Sequence, residues 1–191
     1  TVAIIGEASP EWVFTYFSLM ACGAITVPID KELPEPDMLS IIRTAKCEYA
    51  VFSSVAENKI AAIRGEYPEL TGLVEWGGTT AEYARSIEDV RAAGKAKYLS
   101  GDNSYYDYEI DPEALASIVF TSGTTGKGKG VMLSQKNICS DMEQGIYNFL
   151  ITPRTLCTLP PHHTFCSTVN LLGHYCQGCN IYISSGLRYI M

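Results

Sequence analysis

Ile118-Val-Phe-Thr-Ser-Gly-Thr-Thr-Gly-Lys-Gly-Lys-Gly-Val-Met-Leu133 sets a polar, glycine-rich segment between two apolar runs. Four glycines and four hydroxyl residues fall within Thr121 to Gly130. Glycine tolerates the backbone conformations that align successive N–H groups into an anion-holding concavity. The hydroxyls of Thr121, Ser122, Thr124 and Thr125 add donors, and Lys127 and Lys129 add positive charge. A phosphate-binding loop is the expectation.

Two loop types compete for this segment. Gly123 to Lys129 fits the first seven positions of the G-x-x-x-x-G-K-[ST] nucleotide loop, but the eighth position is Gly130, which has no hydroxyl to offer a magnesium ion. In that loop type the lysine leads straight into a helix. Here Val131-Met-Leu133 reads as a strand, and Ser134 reads as the N-cap of a later helix containing Ile138, Met142, Ile146 and Phe149. Strand, loop, strand, helix is the order the residues favour, and it separates the chain from kinases and P-loop nucleotide hydrolases.

Upstream, strand and helix signals alternate. Val2-Ala-Ile-Ile5 is an apolar run closed by Gly6, and Ser9-Pro10-Glu11 supplies a cap, a first-turn proline and an acid for a helix running to Ala21 and stopping at Gly23. Ile25–Ile29 reads as a second strand in which Pro28 must lie at an end or edge. Asp37 is expected to cap a helix through Thr44, Tyr49–Phe52 to be the third strand, Val55–Glu66 a helix and Gly72–Trp76 a fourth strand. The periodicity of Tyr83, Ile87 and Val90 predicts a further helix over 79–96, and Ser100 to Glu109 reads as a polar surface connection. Strands separated by helices of about a dozen residues imply parallel βαβ units, hence a layered α/β fold with a mostly parallel sheet and flanking helices.

Composition narrows the function. The 191 residues are 47% hydrophobic and 18% charged, as in a globular protein, and the net charge of −7 opposes nucleic-acid binding, which depends on lysine and arginine neutralising phosphates. The basic spot from Lys127 to Lys136 suits a small anion. No apolar run approaches the roughly 20 residues of a membrane span and no leader is evident, so a cytoplasmic location is expected. Seven cysteines leave one over in any disulfide scheme and read as small apolar residues in a reducing compartment. Cys157, His162, His163, Cys166, His174, Cys176 and Cys179 lie close in sequence, but only Cys176-x-x-Cys179 has the spacing of a zinc ligand pair, and a second pair is absent.

Phe120-Thr-Ser-Gly-Thr-Thr-Gly-Lys-Gly-Lys-Gly-Val131 resembles the AMP-binding signature of the adenylate-forming enzyme superfamily, which includes acyl-CoA synthetases, firefly luciferase and peptide synthetase adenylation domains. Val2–Trp12 and Ala21–Asp30 resemble the family's opening strand, helix and strand. Asp111–Val119 is similar to the segment leading into the signature, and Leu159-Pro-Pro-His-His163 to a later motif in which a proline turn delivers a histidine or aromatic residue. Gly128 departs from the pattern, standing where the family usually has proline or a small apolar residue.

The resemblance implies that Thr121, Ser122, Gly123, Thr124, Thr125, Gly126 and Lys129 bind the phosphates of ATP, with Thr121 also associated with Mg²⁺. Taken alone, His163 reads as a hydrogen-bonded core or turn histidine; the resemblance places it in the pocket where the acyl carboxylate meets ATP and leaves His162 at the surface. The implied reaction is ATP-dependent activation of a carboxylic acid followed by thioester formation with coenzyme A. The acyl-CoA synthetase branch, including the long-chain fatty-acid type, fits the motifs, with an amino-acid adenylating domain and a non-catalytic nucleotide-binding module as the rivals. The adenine, ribose and adenylation-lysine motifs of the family do not occur in these residues. Residues 1–191 are therefore expected to be a single partial domain, cut from the large N-terminal domain and inactive alone, with any peripheral membrane contact left to other parts of the protein.

Overall fold

The computed structural model describes residues 1–78, 80–121, 128–148 and 152–184. Its middle strand is Val2–Ile5 (β1), four apolar residues that are all buried. A strand without polar alternation needs cover on both faces. Side chains alternate across a strand, so Ala3 and Ile5 join one core cluster with Val27, Met38, Phe52 and Ile60, whereas Val2 and Ile4 join a second with Trp12, Tyr16 and Met20. Helices α2 (Glu35–Thr44) and α3 (Glu57–Glu66) supply the first cluster and α1 (Pro10–Ala21) the second. The result is a helix, sheet, helix sandwich.

The sheet continues through β2 (Thr26–Ile29), β3 (Tyr49–Ser53), β4 (Gly72–Trp76), β5 (Arg85–Ser86), β6 (Leu115–Thr121) and β7 (Lys129–Ser134), in the spatial order β5-β4-β3-β1-β2-β6-β7. All neighbours are parallel except β6 and β7, which form an antiparallel hairpin. A second, two-stranded parallel sheet joins β8 (Arg154–Cys157) to β9 (Asn180–Ile183). The layered, mostly parallel architecture is the one the sequence implied.

Local chemistry explains several element ends. The Trp12 amide donates to Ser9 Oγ at 3.2 Å, Pro10 opens α1, and Gly23 adopts a φ of 75° just after it. Ser134 Oγ accepts from the Asn137 amide at 3.2 Å while Asn137 Oδ1 accepts from the Ser134 amide at 3.0 Å, a reciprocal cap that starts helix α5 (Gln135–Asn148). Further along α5, Gly145 lets Val169 approach so closely that a Cβ there would lie 2.8 Å from Val169 Cγ2.

Three expectations need correction. Residues 79–96 are not one helix: a turn over 82–84 leads into β5, and α4 covers Ile87–Leu99. Arg85 and Ser86 pair with Val74 and Glu75, Ser86 Oγ caps α4 by accepting from the Asp89 amide at 3.0 Å, and Glu75 Oε2 holds the preceding turn through the Ala81 amide at 2.8 Å. Tyr83 instead packs on the first core cluster, its hydroxyl donating to Glu57 O at 3.0 Å. Helix α2 begins at Glu35 and not after Asp37, because the Pro34 carbonyl already accepts from the Asp37 and Met38 amides. Strand β2 is interior and not an edge, yet Pro28 is tolerated: it lies one residue from the carboxyl end, past Thr26, the residue in register with β6.

Candidate functional site

Parallel strands send their following loops to one edge of the sheet, and ligands of open α/β sheets collect there. Here the chain leaves β1 through Gly6-Glu7-Ala8 and β2 through Asp30-Lys31-Glu32, while the second sheet contributes Thr158 to His163 after β8 and Ser184 after β9. Together these segments line a cleft of about 230 Å³. Because β6 is parallel to β2, the glycine-rich loop also starts from this edge, at Thr121.

The cleft wall is braced from behind. Gly6 lets the Trp76 ring pass against the backbone, where a Cβ would collide with it and with Ser53. Ser53 Oγ donates to Glu7 Oε2 at 2.6 Å. The Lys59 ammonium donates to the carbonyls of Lys31 and Leu33 at 2.6 and 2.9 Å, fixing the loop after β2, and Lys31 also pairs with Glu32. Glu7, Asp30 and Glu32 leave this wall rich in carboxylates.

His162 is not at the surface, as the resemblance implied. Its side chain is 15% exposed, and its Nε2 stands 3.8 Å from Asp30 Oδ2 across the cleft. Burial holds the imidazole below its usual pKa range; Asp30 opposes that shift, while His163 and Lys31 add to it. His163 is the more exposed of the two, with ring centroids 4.5 Å apart, and it lines the same cleft. The reversal follows from the backbone: the His163 amide donates to Pro160 O at 3.2 Å, and the turn swings His162 toward β2. Beyond it, Cys166–Gly173 is wound as a π-helix, with Ser167 and Thr168 hydroxyls donating back to the Thr164 carbonyl at 3.1 and 2.7 Å.

Of the expected phosphate-binding residues, Ser122, Gly123, Thr124, Thr125 and Gly126 lie outside the described residues. Thr121 and Lys129 are in register across the hairpin, so the loop's two ends are held opposite each other. Both are exposed, and among the described residues Lys129 pairs with no carboxylate. Lys136, by contrast, is committed to Glu113 at 2.7 Å. Thr121 lines a second cavity of about 350 Å³ with Val131, Leu133, Asp141, Thr164 and Thr168. Thr121 and His163 therefore line neighbouring spaces, joined by the run from Thr158 to Thr168 that borders both.

The crowd of cysteines and histidines separates in space. Cys157 faces Cys166, His162 faces Asp30, and His174 Nδ1 meets Val169 O at 3.1 Å. Among the described residues no three histidine, cysteine or acidic side chains gather to hold a metal. Buried apolar use also fails for Cys22, Cys139 and Cys176, which are exposed. Glu7, Asp30 and Lys31 went unnoticed in the sequence, although their place directly after two apolar strands was the available signal.

The sequence profile of the AMP-binding enzyme family matches residues 1–188. A CoA ligase of Gibberella moniliformis is 29% identical over 174 residues, covering 90% of this chain and 26% of that protein. Cyclosporin synthetase simA of Tolypocladium inflatum is 27% identical over 164 residues, covering 86% of this chain and 1% of that protein. The fold matches that of ATP-bound MatB from Rhodopseudomonas palustris with a TM-score of 0.77 and 21% identity, covering 97% of this chain and 35% of that one. The chain thus spans about a quarter of the length of the CoA ligase it matches.

Proposed function

The chain belongs to the AMP-binding enzyme family, and we propose that the full-length protein joins a carboxylic acid, of the fatty-acid class, to AMP at the expense of ATP and passes the acyl group to coenzyme A. An acid carboxylate oxygen attacks the α-phosphorus, the bond to pyrophosphate breaks, and an acyl-adenylate remains. The thiol sulfur then attacks the acyl carbon and AMP leaves with the bonding electrons.

The observation that carries this reading is the hairpin that sets Thr121 and Lys129 opposite each other on the edge where the cleft opens. Two anions must meet in the first step, so positive charge and donors aimed at the transferring group lower its barrier. Lys129, with no carboxylate partner among the described residues, holds β- and γ-phosphate oxygens, and Thr121 contributes its hydroxyl. Ser122 to Gly126 complete the phosphate set. His163 lines the acid-binding side of the cleft, and the carboxylates of Glu7, Asp30 and Glu32 discourage an anion from settling there without a counter-charge. Mg²⁺ bound with the nucleotide, near Thr121, would supply that counter-charge. The 191-residue stretch by itself is expected to be inactive, and the cytoplasm is the compartment proposed for the reaction.

The likeness to cyclosporin synthetase favours a second reading, in which the acid is an amino acid and the acceptor a carrier-bound thiol. Pyrophosphate release by the full-length protein across a panel of fatty acids and amino acids separates the two. Release with fatty acids, and AMP formation completed by coenzyme A, supports the first; release confined to amino acids replaces it with the second. Nucleotide binding without release for any acid would leave a binding module.

A further inference from the structure

Cys157 ends β8 and Cys166 starts the π-helix, and their sulfurs stand 3.3 Å apart with both side chains buried. Nothing in the proposed chemistry uses either thiol. The segment between them, Thr158 to Phe165, carries the cleft-lining stretch with Pro160, Pro161, His162 and His163. We infer that Cys157 and Cys166 form a reversible dithiol–disulfide site, oxidised by a small hydroperoxide, whose disulfide ties the His162-His163 segment of the cleft wall into a closed ring. This holds whichever reaction the cleft performs.

The geometry is close to that of the product. Bonded sulfurs lie about 2.05 Å apart, so the pair needs roughly 1.2 Å of approach. Cys166 Sγ also lies 3.3 Å from the Leu159 carbonyl and Cys157 Sγ 3.9 Å from it, so one backbone oxygen orients both thiols. The hydrogen bond between the two sulfurs holds the Cys157 thiol below its usual range, whereas the same bond, together with burial, pushes Cys166 up. The thiolate is the reactive form, and attack by either sulfur of the pair ends in the same disulfide.

The step balances. The Cys157 thiolate attacks one peroxide oxygen, the O–O bond breaks, and an alkoxide leaves and takes up a proton. The resulting sulfenic acid is attacked by the Cys166 sulfur; the S–S bond forms, the S–O bond breaks, and hydroxide leaves with the Cys166 proton as water. Two thiols and one hydroperoxide give one disulfide, one alcohol and one water, with two electrons passing to the peroxide. Thr158 and Leu159 stand between the pair and the cleft, so reaction waits on opening of that wall and is slower than at exposed Cys22, Cys139 or Cys176.

The test uses the chain with Cys22, Cys139, Cys176 and Cys179 replaced by serine, leaving Cys47, Cys157 and Cys166. Cys47 is an internal control, since burial pushes its thiol up to about 12. After treatment with hydrogen peroxide, alkylation in denaturant is expected to label Cys47 alone, peptide mapping to show Cys157 linked to Cys166 with loss of two hydrogens, and dithiothreitol to restore all three thiols. Closing so short a ring raises the melting temperature by roughly 5–10 °C. Three alkylated cysteines, after an exposure that fully oxidises Cys22 in the unsubstituted chain, would overturn the inference; so would Cys157 oxidised to sulfinic acid beside a free Cys166. In Cys166→Ser, Cys157 is expected to stop at a sulfenic acid trapped by dimedone, without the thermal gain. Should that variant fail to fold, the disulfide map of the four-serine chain decides alone.

Discussion

Gly128 and Gly130 flank Lys129, and the hairpin geometry predicts that adding one methyl group to each has opposite effects. Among the described residues, a Cβ on Gly128 would meet Phe120 Cδ1 and Thr121 O at 3.6 Å, an ordinary contact. Gly130 does not have a positive φ. Gly128→Ala meets no clash among the described residues and removes freedom from the unfolded state, a gain of about 0.4–1 kcal/mol. Gly130 sits directly across from Phe120, whose ring covers it, and a Cβ there would lie 3.0 Å from Ile118 Cγ2 and 3.2 Å from Phe120 Cζ. Both side chains pack on the first core cluster, so they cannot retreat freely. Overpacking costs about 1–3 kcal/mol, and after the same unfolded-state gain Gly130→Ala is left destabilised by roughly 0.5–2 kcal/mol. For a chain of this size each kcal/mol moves the melting temperature by about 2–4 °C. Calorimetry should place Gly128→Ala above and Gly130→Ala below the parent chain. Equal effects, or the reverse order, would mean that the register Phe120↔Gly130 is wrong and that Lys129 does not face Thr121.

Three further outcomes follow from the same geometry. Ser134→Ala removes half of the reciprocal cap on α5 and should cost about 1 kcal/mol, with hydrogen exchange rising in the first turn of that helix. His162 has a folded-state pKa below its unfolded one, so the unfolded chain binds the proton more readily. Stability should therefore be full above the ordinary histidine range and fall as the pH drops through it toward the lowered value. His162→Gln should flatten that dependence in pH-dependent melts, and an NMR titration placing His162 above the ordinary range would refute the assignment. Asp30→Asn removes the carboxylate facing His162 and should lower the His162 pKa further in the same titration; a rise would contradict the pairing.

The sheet was legible because its strands are uniform apolar runs and its helices carry local caps. Val2–Ile5 can satisfy itself only between two covered faces, and Ser9 with Pro10 marks the start of α1 without reference to anything distant. Strand β5 was hidden because two residues carry no periodicity and their pairing with Val74 and Glu75 is a tertiary event, while Tyr83, Ile87 and Val90 happen to repeat at helical spacing. Strand β8 was missed for a related reason: Arg154–Cys157 is short, and its partner β9 arrives only after an intervening helical segment. At the site, the hairpin around the loop could be read from Val131-Met-Leu133, but the choice between neighbouring histidines could not. Pro160 and Pro161 mark a turn, but which of His162 and His163 that turn and the π-helical winding after it bring to Asp30 is not written in residue type. The cysteine pair was equally invisible, since residues nine apart are brought together by that same winding.

The central claim is that the β6–β7 loop holds ATP phosphates for an adenylation reaction, and Lys129 tests it most directly. Pyrophosphate release by the full-length protein, with ATP and a fatty acid that the parent enzyme accepts, should fall by about 10²–10³-fold in kcat on Lys129→Ala. The melting temperature should stay unchanged, because the side chain is exposed and pairs with no carboxylate among the described residues. Undiminished pyrophosphate release from a correctly folded Lys129→Ala protein would contradict it.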